Sequence, residues 1–267
     1  MTGCAALLTY RNAATEVKWE PRIKRIRVAW RNIEWLSVVA AVRRVCVLSL
    51  ADTEVTSAAR RYLEKGLATL KLTRQALVPD TYSSRMVAPS PSLPSGYRVA
   101  IGTDAALADF EVQYRRNDHL GIGLLLGYPR CCCEFFQRTW LAKGLDDLTW
   151  EAVQNSRIQS QTEGNILVES NPACNLLARW IGIRAVPHLA CSFCCEDTIK
   201  FGRRLIAVGE REGYCDEMRW LMRLLSLHYT WSCQNGEADI VTSLFRIRVA
   251  SDCQSRALRI HAGNASP

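Results

Sequence analysis

This chain lacks the long apolar run that would carry it across a bilayer. Its best candidate, Trp35 to Leu50, is broken by Arg43 and Arg44. Nor is a secretory leader expected from the first residues. The apolar stretch in Met1–Leu8 is short, has no basic flank and gives way at once to Tyr10, Arg11 and Asn12. There is no phosphate-binding P-loop, no dinucleotide fingerprint, no HExxH and no Ser-His-Asp grouping, which sets aside the enzyme classes those motifs mark. No internal repeat is evident. Histidine is scarce, at four residues. Of these, His119 reads as a surface residue, His228 as a helix end and His261 as part of the tail. The ribbon spacing CxxC…CxxC and the ferredoxin spacings are absent as well.

Cysteine, in contrast, is plentiful. Twelve occur in 267 residues, fewer than a disulfide miniprotein would carry and more than packing asks for. With no export signal, the expected setting is a reducing cytoplasm, where clustered cysteines read as metal ligands or redox thiols. A hydrophobic share of 48% supplies a core for one large domain or two small ones, and a charged share of 22% argues against wholesale disorder. The net charge of +8 permits attraction to anions. The basic residues form no clear patch, so nucleic acid is a partner that the sequence permits but does not favour. An unknown small molecule or protein partner is the broader expectation, and no membrane association is expected.

Periodicity supplies a coarse fold. Residues 1–20 show none and read as a loose leader. From Arg22 the apolar residues Ile23, Ile26, Trp30 and Ile33 recur at helical steps among Lys24, Arg25, Arg27 and Arg31, which predicts a basic amphipathic helix docked by its Ile/Trp stripe. On that reading Lys24, Arg25 and Arg27 are expendable. Val45–Leu50 reads as a buried strand, followed by a helix capped by Asp52 or Thr53 and closed at Lys65-Gly66, then a strand through Leu70 and Leu72. This makes a small α/β layer over 21–80. A Pro/Ser-rich loop or linker covers 81–96. A strand at Tyr97–Ile101 opens a core over 97–250, with helices bearing Leu107 and Phe110, then Glu134 to Lys143, then one starting at Asn171-Pro172. A strand at Ile181–Val186, a helix capped by Ser192, and a helix through Met218, Leu221, Leu224 and Leu225 follow. A hairpin turning at Asn235-Gly236 closes the pattern, and 251–267 reads as a tail. The fold class is α+β or α/β, a helix-rich single domain with a short mixed sheet and a C-terminal β-hairpin.

Two segments carry the chemistry. Leu126-Gly-Tyr-Pro-Arg-Cys-Cys-Cys-Glu-Phe-Phe136 sets three thiols behind a turn, and Pro187-His-Leu-Ala-Cys-Ser-Phe-Cys-Cys195 adds three more with an imidazole. Cys191 and Cys195, four apart, would share one face of a helix. Cys131 and Cys132 can converge at the turn after Pro129. Each segment alone offers too few sulfurs for a closed site, so the two are expected to meet, with His188 alongside as a ligand or a supporting group. The product would be a thiolate site for zinc or an iron–sulfur cluster. Arg130 and the following helix start could supply part of the compensating charge. Cys4, Cys46, Cys174, Cys215, Cys233 and Cys253 read as buried thiols. Glu134, Glu196 and Asp197 read as helix-start carboxylates more readily than as acid–base groups.

These two segments resemble a prokaryotic domain-of-unknown-function family marked by Leu-Gly-Tyr-Pro-x-Cys-Cys before an aromatic-rich helix, and by a Pro-His-x-x-Cys-Ser segment ending in a second cysteine. The likeness would extend over roughly 97–250, taking in Asn171-Pro172 and Trp231…Gly236-Glu237. It implies a core set of Cys131, Cys132, His188, Cys191 and Cys195, with Cys133 and Cys194 as extras, and it brings no named activity.

Three functions follow as expectations. The first is a cytoplasmic metal- or iron–sulfur-binding protein, extending to an enzyme of sulfur or redox chemistry. The second is a metal-free thiol protein cycling through disulfides. The third is a zinc-stapled nucleic-acid-binding module.

Overall fold

The computed structural model describes residues 6–77, 88–89, 93–162, 165–251 and 256–262. The chain opens with a short strand, β1 (Leu7–Tyr10), and then a 27-residue helix, α1 (Ala13–Val39). Asn12 caps α1 by accepting from the Thr15 backbone N–H at 2.8 Å. Ile23, Ile26, Trp30 and Ile33 form its buried stripe, as their spacing predicts, and Trp19, from the stretch read as a leader, is buried with them. The helix runs straight through Pro21.

Next come β2 (Val45–Ala51), α2 (Val55–Leu63), β3 (Ala68–Ala76) and β4 (Ser95–Gly102). They form a three-stranded sheet of order β2-β4-β3, with β4 antiparallel to both neighbours. Its two faces go to different places. Cys46, Leu48, Leu50, Val99 and Ile101 join the main core, while Val45 and Ala100 pack under Leu107, Phe110, Leu125 and Leu126. Burial on both faces is what a continuous apolar run requires. Gly66, at φ +74°, ends α2 as expected. The cap residue of α2 is Glu54, however, and Asp52 is occupied by Ser95 and Arg74 at 2.7 Å.

The helices α3 (Asp104–Arg115), α4 (His119–Leu125), α5 (Arg130–Phe136) and α6 (Thr149–Gln154) follow. Strands β5 (Ile158–Thr162) and β6 (Asn165–Ser170) precede α7 (Glu196–Arg211) and α8 (Cys215–Leu225). The last strands are β7 (Tyr229–Gln234), β8 (Glu237–Val241), β9 (Phe245–Ala250) and β10 (Arg256–Ala262). They complete a seven-stranded mixed sheet of order β1-β9-β8-β7-β10-β6-β5, in which only β10 and β6 pair in parallel. Along β7 to β9, Tyr229, Trp231, Ala238, Ile240, Phe245 and Ile247 turn inward, alternating with exposed residues. The hairpin turn is Asn235-Gly236, with φ of +52° and +78°, as a two-residue turn of this hand demands. The architecture is α+β.

Several boundaries differ from the sequence reading. The expected leader contains β1 and the first turns of α1, and β1 is tied to β9. Within the expected tail, 256–262 is an interior strand between β7 and β6. Of the 81–96 linker, 95–96 already belong to β4, and 81–87 and 90–92 lie outside the described residues. Asn171-Pro172 starts only a single 3-10 turn, Pro172–Cys174. Ile181–Val186 is irregular rather than a strand, and the helix over 134–143 begins earlier, at Arg130, and relaxes into a π turn at Gln137–Leu141. Among the described residues no helix is long and apolar enough to cross a membrane.

Buried charge ties these layers together. Glu34 on α1 accepts from Arg184 at 2.6 Å and from Arg43 at 3.4 Å, and Arg43 also donates to the Glu34 carbonyl and Ser37 Oγ. Beneath the large sheet, Asp147 pairs with Arg179 at 3.1 Å and accepts from Ser251 at 3.0 Å. Each ion is met by several partners, which buried charges need.

Candidate metal centre

Gly127, at φ +76°, ends α4 and turns the chain so closely past Arg43 that a Cβ would sit 2.8 Å from that residue's own Cβ. Pro129 then caps α5, its carbonyl accepting from the Cys132 and Cys133 N–H groups at 3.0 Å. Cys131 and Cys132 therefore stand in the first turn of a helix, where successive side chains diverge by about 100°. Their sulfurs nonetheless lie 3.9 Å apart. Cys133 points away, toward the Tyr128 carbonyl and Gly123.

The second segment is a pinned loop. Phe193 is fully buried; its carbonyl accepts from Asn171 N–H at 2.8 Å and its N–H donates to Ser156 Oγ at 2.8 Å. Asn155 holds the Cys191 carbonyl at 3.0 Å. Cys195 is the cap residue of α7. Cys191 and Cys195 thus do not share a helix face, contrary to expectation. They flank the loop's buried Phe193, and α7 begins after both.

The two segments meet. Cys195 Sγ lies 3.7 Å from Cys131 Sγ and 3.8 Å from Cys132 Sγ. The Cys191 N–H reaches Cys132 Sγ at 3.4 Å. The sulfurs of Cys131, Cys132, Cys191 and Cys195 all fall within 4.8 Å of one another, and among the described residues this is the one group of ligand atoms able to hold a metal ion. Cys132 and Cys195 are buried; Cys131 and Cys191 are half-buried at the rim.

His188 lies behind the sulfurs rather than among them. Its ring sits between Tyr128 and Phe201, at 5.1 and 5.8 Å between centroids, and Nε2 is 2.9 Å from Thr198 Oγ1. That hydroxyl is in turn 3.3 Å from Cys132 Sγ. Sequence reasoning missed Thr198, three residues into α7 from its cysteine cap. It also missed Cys174 as a neighbour, whose thiol donates to the Cys195 carbonyl at 3.5 Å. The carboxylates are bystanders. Glu134 pairs with Arg130, which removes that arginine as a counter-charge, and Asp197 pairs with exposed Lys200.

Electrostatics separate the four thiols. Hydrogen bonds from Cys132 and Cys191 hold Cys195 far below the usual thiol range, with Thr198 contributing. The thiol of Cys132 is pushed far up by its bonds to Cys191 and Cys195 and by burial. Burial and the Cys195 charge raise Cys131. Its bond to Cys132 lowers Cys191, but Cys195 and burial outweigh this and push it up to about 12. Cys195, the thiol held low, stands at the start of α7, where the helix dipole favours a negative charge. A divalent cation at the centre of the four would favour the thiolate form of the others.

No protein-family model, curated protein or solved structure matches the chain.

Proposed function

We propose that the chain is a metal-binding protein whose Cys131, Cys132, Cys191 and Cys195 hold a single tetrahedral ion, zinc in the first place. The observation that carries this reading is the set of short sulfur separations, 3.7, 3.8 and 3.9 Å. Zn–S bonds of about 2.3 Å in a tetrahedron put neighbouring sulfurs about 3.8 Å apart. The thiolates of a cubane iron–sulfur cluster stand wider, at roughly 6 Å, because each binds its own iron. Soft sulfur ligands suit zinc, and four protein ligands make the site closed, hence structural. The ion would staple the start of α5 to the start of α7.

Cys131, Cys132, Cys191 and Cys195 carry free thiols, in keeping with the reducing cytoplasmic setting that forms part of the proposal. Nucleic acid gains little support from α1. Arg25 is paired with Glu217 at 2.6 Å, Arg31 with Glu54 at 2.7 Å, and Arg27 donates to the Ile181 carbonyl at 2.9 Å.

Anaerobic purification, elemental analysis and an absorption spectrum test the reading. The expected result is about one zinc per chain, colourless, replaceable by cobalt with tetrahedral thiolate bands. A brown iron-containing protein would replace the single ion by a cluster. A metal-free protein that takes up neither zinc nor cobalt, and forms a disulfide at Cys195 on mild oxidation, would overturn the proposal in favour of thiol redox chemistry.

A further inference from the structure

We propose that His188 and Thr198 are the positioning residues of this centre, a two-step hydrogen-bond relay that aims the Cys132 sulfur at the ion and fixes one tautomer of the imidazole. The inference rests on the metal reading above and goes beyond it by giving these two side chains a task. Thr198 Oγ1 stands between the thiols and the imidazole, 3.3 Å from Cys132 Sγ and 2.9 Å from His188 Nε2, with Cys195 as a second neighbour on the thiol side. A metal-bound thiolate has no proton and only accepts. The hydroxyl has one proton and gives it to the charged sulfur, the stronger acceptor. Its lone pairs then face the imidazole, so the 2.9 Å contact requires a proton on Nε2.

The rest of the pocket agrees. His188 is buried, and burial holds it neutral by depressing its pKa to about 3, so the ring carries one proton only. Nδ1 is buried with no hydrogen-bond partner among the described residues. Placing the proton on Nδ1 would bury a donor without an acceptor and leave Nε2 and the sulfur competing for one hydroxyl proton. Placing it on Nε2 satisfies every donor in the chain from His188 through Thr198 to Cys132. The rings of Tyr128 and Phe201 hold the imidazole in that orientation. Supporting groups of this kind typically change metal affinity by 10- to 100-fold.

The test is zinc affinity by competition with a chromogenic chelator, together with the imidazole nitrogen spectrum of the zinc-loaded protein. Thr198→Val and His188→Leu should weaken zinc binding by roughly 10- to 100-fold. Thr198→Ser keeps the hydroxyl, and His188→Gln keeps an N–H near the Nε2 position; both should restore most of the affinity. In the parent, the His188 spectrum should show a protonated Nε2 and a bare Nδ1. Parental affinity in Thr198→Val and His188→Leu, or a proton on Nδ1, overturns the relay while leaving the metal reading standing. A parent that binds no zinc overturns both. Should Thr198→Val fail to fold, the nitrogen spectrum of the unaltered protein still decides.

Discussion

If the four-cysteine centre holds zinc as proposed, stripping the ion should loosen the whole molecule by an amount that the chain's connectivity sets. Cys131 and Cys195 are 64 residues apart in sequence and 3.7 Å apart at their sulfurs. Treated as a cross-link, the ion removes loop-closure entropy from the unfolded chain. For a loop of that length this is about 14 cal/mol/K, or about 4 kcal/mol at 25 °C. For a protein of this size each kcal/mol moves the melting temperature by about 2–4 °C, so removal should lower it by roughly 10 °C. Calorimetry on zinc-loaded and chelator-treated protein, both kept reduced, measures the difference. Added zinc should raise the melting temperature of the stripped sample progressively, since ligand binding stabilises by mass action. A protein that carries one zinc per chain but melts within about 2 °C of its stripped form would refute the cross-link argument, because the segments would then be held by packing alone.

Lys24→Gln should change stability by less than about 0.5 kcal/mol. Arg27→Gln should cost about 1.5–3 kcal/mol by urea denaturation, because it removes a charged donor from the Ile181 carbonyl. The sequence reading had grouped the two as equally expendable. Asp147→Asn should destabilise by about 3–5 kcal/mol, as it leaves the buried Arg179 guanidinium uncompensated. Burial alone would raise the Asp147 pKa, but Arg179 and bonds from Thr149 and Ser251 outweigh it and hold the carboxyl below its usual range. Its contribution is therefore complete above the unfolded value, near pH 4, and disappears as pH falls through the lowered folded value. Acid titration of stability should show that loss in the parent and not in Asp147→Asn. Gly127→Ala should cost about 1–3 kcal/mol, from a φ of +76° and a Cβ set 2.8 Å from Arg43 Cβ; a thermal melt checks it.

What the sequence made legible was local. Helix periodicity placed Ile23, Ile26, Trp30 and Ile33 in the core, a turn dipeptide placed the hairpin, and contiguous thiols marked both halves of the centre. What it concealed depended on distant partners. β1 is four residues long and has meaning only beside β9. The strand character of 256–262 is decided by its neighbours β7 and β6. The arrangement of Cys191 and Cys195 was misread because spacing of four suits a helix, whereas Phe193, Asn155 and Ser156 hold that stretch as a loop. Thr198 carried no signal of its own, since its role arises only when the Cys132 sulfur arrives beside it.

The register of the large sheet has a kinetic consequence. Leu7 faces Arg248 across the β1–β9 ladder, and β10 must slot in parallel beside β6. Pairings between such remote stretches are slow to form, because the entropy of a very long loop is lost before any contact rewards it. The small sheet, whose strands are closer in sequence, should assemble first. Until the large sheet closes, the strand edges of β6 to β9 are open to strands of other chains. Refolding yield should therefore fall steeply as protein concentration rises, well before the native state itself shows any tendency to associate.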